Sequence, residues 1–196
     1  SVSVGVWIAA GSQYETREEN GLSHFIEHML FKGTEKRTAR QIAEVMDAVG
    51  GQLNAFTAKE CTCLYAKVVD EHLPLAMDVL ADLVTAPTFD SAEMEKEKGV
   101  VLEEISMSMD EPEDLVHELL MLANYGDQPV ARPILGNSER VSSYAREDLV
   151  SYWSRMYRPQ NAVLALAGNY DWDRVLSMAE DLLGGWEADG FSKRGC

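Results

Sequence analysis

Hydrophobic and polar positions alternate strictly at the start of this chain and then change period. Val2, Val4, Val6 and Ile8 fall on every second residue, so residues 1–10 predict a strand with one apolar face. Residues 11–21 are polar and predict a loop. Beyond them Leu22, Phe25, Ile26, Met29 and Leu30 recur at helical spacing, and Lys32-Gly33 stops that helix after Phe31. Residues 38–49 predict a second helix with Ile42, Val45, Met46 and Val49 inward. Gly50-Gly51 turns the chain. Residues 52–57 and 61–69 then predict two strands joined through Ala58-Lys59-Glu60, a hairpin.

The second half of the pattern is mostly helical. Residues 73–84 form a helix that ends before Pro87. Asp90 or Ser91 caps a long helix running to about Met109. Pro112 suits the start of the next, which reaches Ala123. Residues 124–140, with Pro129, Pro133 and Gly136, predict a loop. A helix over 146–156, a strand over 162–167 and a helix over 172–183 follow, and Gly184-Gly185 leads into a mixed tail. Strands and helices do not alternate regularly. The expected class is α+β, a mixed and mostly antiparallel sheet covered by several helices, rather than a doubly wound sheet.

Length and charge narrow the picture. The 196 residues suit one domain, expected over 1–196. The chain lacks an initiating Met and opens mid-pattern, so a fragment of a longer protein is expected. No apolar run approaches the roughly 20 residues of a membrane span. The net charge is -16, and residues 70–118 hold 15 Asp and Glu against Lys96 and Lys98. Most of these acids suit solvated helix faces. Together they favour basic peptides and disfavour nucleic acid. Cys61, Cys63 and Cys196 form no C-x-x-C pair, and Cys61 and Cys63 are too close in sequence for a strand disulfide. Reduced thiols in a reducing compartment are expected.

The chemistry is concentrated in His24-Phe25-Ile26-Glu27-His28. On a helix these two imidazoles and the carboxylate share one face, one turn apart. The order H-x-x-E-H inverts a common zinc-peptidase motif: two nitrogen ligands, and a carboxylate placed to act as general base. Burying such groups on an apolar helix is costly unless they are paired or metal-bound. Zn²⁺ is the expected cofactor. A third ligand must come from elsewhere. The long helix after Asp90 offers Glu97 and Glu104, two turns apart on one face, while Glu93 and Glu103 compete on chemistry alone.

His24-Phe-Ile-Glu-His28-Met-Leu-Phe-Lys-Gly-Thr34 resembles the pitrilysin and mitochondrial-processing-peptidase superfamily of zinc peptidases. Gly50-Gly-Gln-Leu-Asn54-Ala-Phe-Thr57, Glu97-Lys-Gly-Val-Val-Leu-Glu-Glu104-Ile, Ile134-Leu-Gly136 and Tyr157-Arg-Pro159-Gln-Asn161 extend the likeness over nearly the whole chain. The resemblance implies ligands His24, His28 and Glu104, with Glu27 as base and Glu97 steadying the site from behind. It implies a substrate strand at Asn54, Ala55 and Phe56, with Phe56 near a side-chain pocket. It also implies the metal-bearing half of a two-half endopeptidase. The partner would be a second homologous domain, in cis or as another subunit. The compartment would be the cytoplasm in a bacterium or the mitochondrial matrix in a eukaryote. The alternatives are a non-catalytic assembly subunit and a peptide-binding domain of the same fold.

Overall fold

Strand β1 (Val2–Ile8) is the sheet's organising element in the computed structural model, which describes residues 1–186. It pairs antiparallel with β3 (Thr62–Val68) on one side and β4 (Ala162–Gly168) on the other. Strand β2 (Gln52–Thr57) adds antiparallel to β3, giving the order β2-β3-β1-β4. The hairpin and the α+β class are therefore as the pattern implied. Every strand pair among the described residues is antiparallel.

Alternation decides the faces. Val2, Val4, Val6 and Ile8 are all at most 2% exposed and pack inward with Leu64, Ala66 and Val68. Each of the Val, Ile and Leu side chains among them gains roughly 1.5–3 kcal/mol on burial. The outer face keeps Trp7, Phe56, Tyr65 and Val163 exposed.

Helices α1 (Leu22–Leu30) and α3 (Leu73–Thr85) cover the inner face. Between them α2 (Ala39–Asp47) starts with a full capping box, Thr38 and Gln41 exchanging side-chain and backbone bonds. The connection into α2 is pinned to α3: Asp82 accepts from Thr34 and Arg37, each at 2.7 Å. Helix α4 (Ser91–Asp110) is capped by Asp90, which accepts from the N–H groups of Ala92 and Glu93, and it packs across α1.

Next come α5 (Pro112–Tyr125), α6 (Ser138–Ser143), α7 (Arg146–Met156) and α8 (Trp172–Leu183). Helix α6 corrects the reading of 124–140 as loop. It is short and polar, and Asn137 starts it by accepting from the Arg140 N–H. Of the predicted tail, residues 187–196, with Cys196, lie outside the described residues. Cys61 and Cys63 are free thiols. No described helix is long and apolar enough to cross a membrane.

Candidate metal centre

The site grows from the two faces of α1. Leu22, Phe25, Ile26, Met29 and Leu30 are buried against the sheet and its neighbours. That leaves His24, Glu27 and His28 half-buried on the remaining face, looking towards α4 and β2. The start of α1 is held by Glu15. This carboxylate, 2% exposed, accepts from Gly21 N at 2.8 Å, Ser23 N at 2.7 Å and the Asn20 amide at 3.1 Å. Burial pushes its pKa up, and those three donors pull it back.

Gly21 enters α1 with φ 104°. A Cβ there would lie 2.9 Å from Leu135 O and 3.0 Å from the Gly136 Cα. A glycine is required both by the left-handed backbone and by this close approach. Gly136, at φ 76°, meets the same contact from the other side.

Helix α4 brings the carboxylates. Glu104 Oε2 lies 3.7 Å from His24 Nε2 and 3.5 Å from His28 Nε2. One ligand atom from each of these three residues fits within 4.8 Å of the others. A tetrahedral zinc with ligand bonds near 2.1 Å sets its donors about 3.4 Å apart. The donor set therefore fits the ion without rearrangement of the backbone. Burial, then the neighbouring His28, lowers the His24 pKa to about 4, so its imidazole is neutral and free to ligate.

Two turns back, Glu97 Oε2 lies 3.1 Å from His28 Nδ1. Its other oxygen meets Lys32 Nζ at 2.5 Å. A carboxylate behind a ligating imidazole fixes the ring and leaves Nε2 facing the metal position. The four acids that sequence geometry left open are thus separated. Glu93 pairs with Lys96 at the surface, Glu103 is exposed, Glu97 is 5% exposed behind His28, and Glu104 faces both rings.

Glu27 stands beside the cluster and outside its ligand set. Its Oε2 accepts from Thr57 Oγ1 at 2.5 Å. Burial raises its pKa, opposed by Thr57 and His28. A cavity of about 680 Å³ opens from His24 and Glu27, walled by Ala55, Phe56 and Thr57 of β2, by Ile105 and Met109 of α4, and by Leu115 and Glu118 of α5. Asn54 is not among its lining residues. It sits on the outer face opposite Tyr65, and its Oδ1 accepts from the Ala55 N–H at 2.8 Å.

Comparison with known proteins meets this geometry directly. The family described as insulinase, peptidase family M16, matches residues 1–138, which hold the whole cluster. The chain belongs to peptidase family M16. A second description, the peptidase M16 inactive domain, matches residues 143–195. A Bacillus subtilis protein described as the uncharacterized zinc protease YmxG is 50% identical over 190 residues, covering 97% of this chain and 46% of that protein. An uncharacterized zinc protease of Mycobacterium leprae is 47% identical over 184 residues, covering 94% and 41%. The chain thus spans less than half the length of these relatives. Among solved structures, a Helicobacter pylori protease superposes with a TM-score of 0.94 over 100% of this chain and 47% of its own, at 21% identity, a likeness of fold alone. Pitrilysin superposes at 0.83 over 93% of this chain and 20% of its own, with 26% identity.

Three contributors to this M16 site escaped sequence reasoning. Glu15 sat in an apparent polar loop. Lys32 read as a helix stop, and Thr57 as the end of a predicted strand. Their partners lie 5 to 8, 65 and 30 positions away, beyond any local pattern; only the acidic residue shortly before an apolar helix was a usable signal, for Glu15.

Proposed function

We propose that this chain is the metal-bearing domain of a zinc endopeptidase. The observation that carries the reading is one arrangement: His24, His28 and Glu104 converge on a point, with Glu27 beside them and not among them. When bound, zinc supplies Lewis-acid polarisation of a carbonyl and acidification of a water. The chain's own residues do the rest. His24 Nε2, His28 Nε2 and one Glu104 oxygen hold the ion. Glu97 holds His28 in the tautomer with Nδ1 protonated. Glu27, its pKa raised by burial, takes a proton from the attacking water and returns it to the leaving amine.

The substrate in this reading is an extended peptide. Among the described residues strand β2 is an edge strand, paired with β3 alone. A peptide pairing with β2 gains backbone hydrogen bonds at its open side. Ala55 and Phe56 line the cavity beside His24, so that peptide passes the metal position. Asn54 contributes through the Ala55 N–H, which its side chain occupies until a peptide displaces it. The acidic stretch of residues 70–118 favours basic peptides. A second homologous domain, in cis or as a partner subunit, completes the enclosure.

Glu27→Gln in the full-length protein tests the reading. It should keep zinc and lose turnover by roughly 10²-fold or more, the scale of a lost general base. Retained turnover, or lost zinc, contradicts the assignment.

A further inference from the structure

Glu27 is held by more than its own helix. Thr57 is the last residue of β2, and its hydroxyl reaches across to Glu27 Oε2 at 2.5 Å. The same hydroxyl lies 3.4 Å from Thr62 Oγ1, its cross-strand partner on β3. Thr62 is fully buried and donates to Ala10 O at 2.9 Å. Tyr157 sits below, 1% exposed, presenting its hydroxyl towards Thr62 without closing a short hydrogen bond. The Thr62 proton is committed to Ala10. The Thr57 proton therefore takes the short route, to Glu27.

We propose that Thr57 is a positioning residue for the general base, its hydroxyl pinning Glu27 Oε2 and leaving Oε1 to exchange the proton with water and the leaving amine. This rests on the endopeptidase reading and deepens it. Thr57 suits the task physically. A β-branched side chain has little freedom about χ1, so the strand backbone sets where its hydroxyl points. Behind it the buried Thr62 blocks retreat. A carboxylate on a flexible side chain with one oxygen tied presents the other in a narrow range of positions. Misplacement of a reacting group by about 1 Å costs on the order of 10²-fold.

The placement has a second consequence. Thr57 belongs to the strand proposed to receive the peptide. A peptide paired along β2 stiffens the strand that fixes the base, so substrate docking and base alignment share one element.

Thr57→Val and Thr57→Ser in the zinc-loaded full-length protein test the proposal, with Glu27→Gln alongside. Valine keeps the shape and strand preference of threonine and removes only the hydroxyl. Thr57→Val should retain stoichiometric zinc and KM within about threefold while kcat falls at least tenfold, and Thr57→Ser should recover most of kcat. Crystal structures should show Glu27 leaving its position in Thr57→Val and keeping it in Thr57→Ser. Wild-type kcat in Thr57→Val, with Glu27→Gln inactive, overturns the positioning role and leaves Glu27 as the base. Equal impairment of the serine and valine variants, or loss of zinc in Thr57→Val, also overturns it, since either marks a structural role. Full turnover by Glu27→Gln removes the base assignment, and this inference with it.

Discussion

Helices α1 and α5 look alike in sequence and differ in everything that surrounds them. Both carry Leu and other apolar residues at most positions. In α1 these are buried, with Leu22, Phe25, Ile26, Met29 and Leu30 at 2% exposure or less. In α5 no residue is buried, and Leu119, Leu120 and Leu122 are more than half exposed. The ends differ too. Glu15 holds the start of α1, and the Tyr152 hydroxyl meets Ser23 at 2.8 Å. Helix α5 starts at Glu111 with no side-chain cap. Yet both helices face one cavity, α1 through His24 and Glu27, α5 through Leu115 and Glu118. The His24, Glu27 and His28 side of the cavity is therefore supported from within this chain, while the α5 side is left uncovered among the described residues. An exposed apolar face of this kind marks an interaction surface.

Removing the support of one helix and altering the surface of the other should separate them most sharply. Glu15→Ala leaves the Gly21 and Ser23 N–H groups buried without an acceptor. It should cost about 2–4 kcal/mol in chemical denaturation. Leu119→Gln on α5 should stay within about 0.5 kcal/mol. Equal costs would erase the distinction.

Catalysis should divide along the same line. The chain alone should fold and bind zinc but cleave a peptide with kcat/KM about 10²-fold below that of the full-length protein, because one wall cannot orient the substrate. Adding the second half as a separate chain should restore much of the difference. Equal activity of chain and full-length protein on the same peptide would remove the two-half account.

A smaller effect comes from His24 in the metal-free chain. Its folded pKa, about 4, lies below its ordinary 6.5. The unfolded chain therefore binds the proton first, and stability falls as pH drops from 6.5 towards 4. The loss through this residue should be on the order of 3 kcal/mol, read as the pH slope that His24→Asn removes. An unchanged slope would show that His24 is as accessible to protons as an exposed imidazole.

The same two helices show how much was legible beforehand. Periodicity located α1 and α5 almost to the residue, and the strict alternation of β1 announced its buried face. It did not reveal that α5 would remain uncovered, because an apolar pattern records what a helix can bury and not what is present to bury it. The candidate site was legible where its side chains lie within one turn, as those of His24 and His28 do. It was ambiguous where the partner came from another helix. Glu97 and Glu104 share a face of α4, and only the placement of that helix across α1 sends one to His28 Nδ1 and the other to both Nε2 atoms. The contacts of Thr57 and Lys32 with the cluster gave no signal, since each spans a long stretch of sequence.

The central claim is that one zinc is held by His24, His28 and Glu104. Metal analysis after exhaustive dialysis tests it directly, on the wild-type chain, His28→Ala, Glu104→Gln and Glu103→Gln. The account predicts one zinc per chain for the wild type and for Glu103→Gln, weakened retention for Glu104→Gln, and none for His28→Ala. Stoichiometric zinc in His28→Ala, or loss in Glu103→Gln matching that in Glu104→Gln, would contradict it.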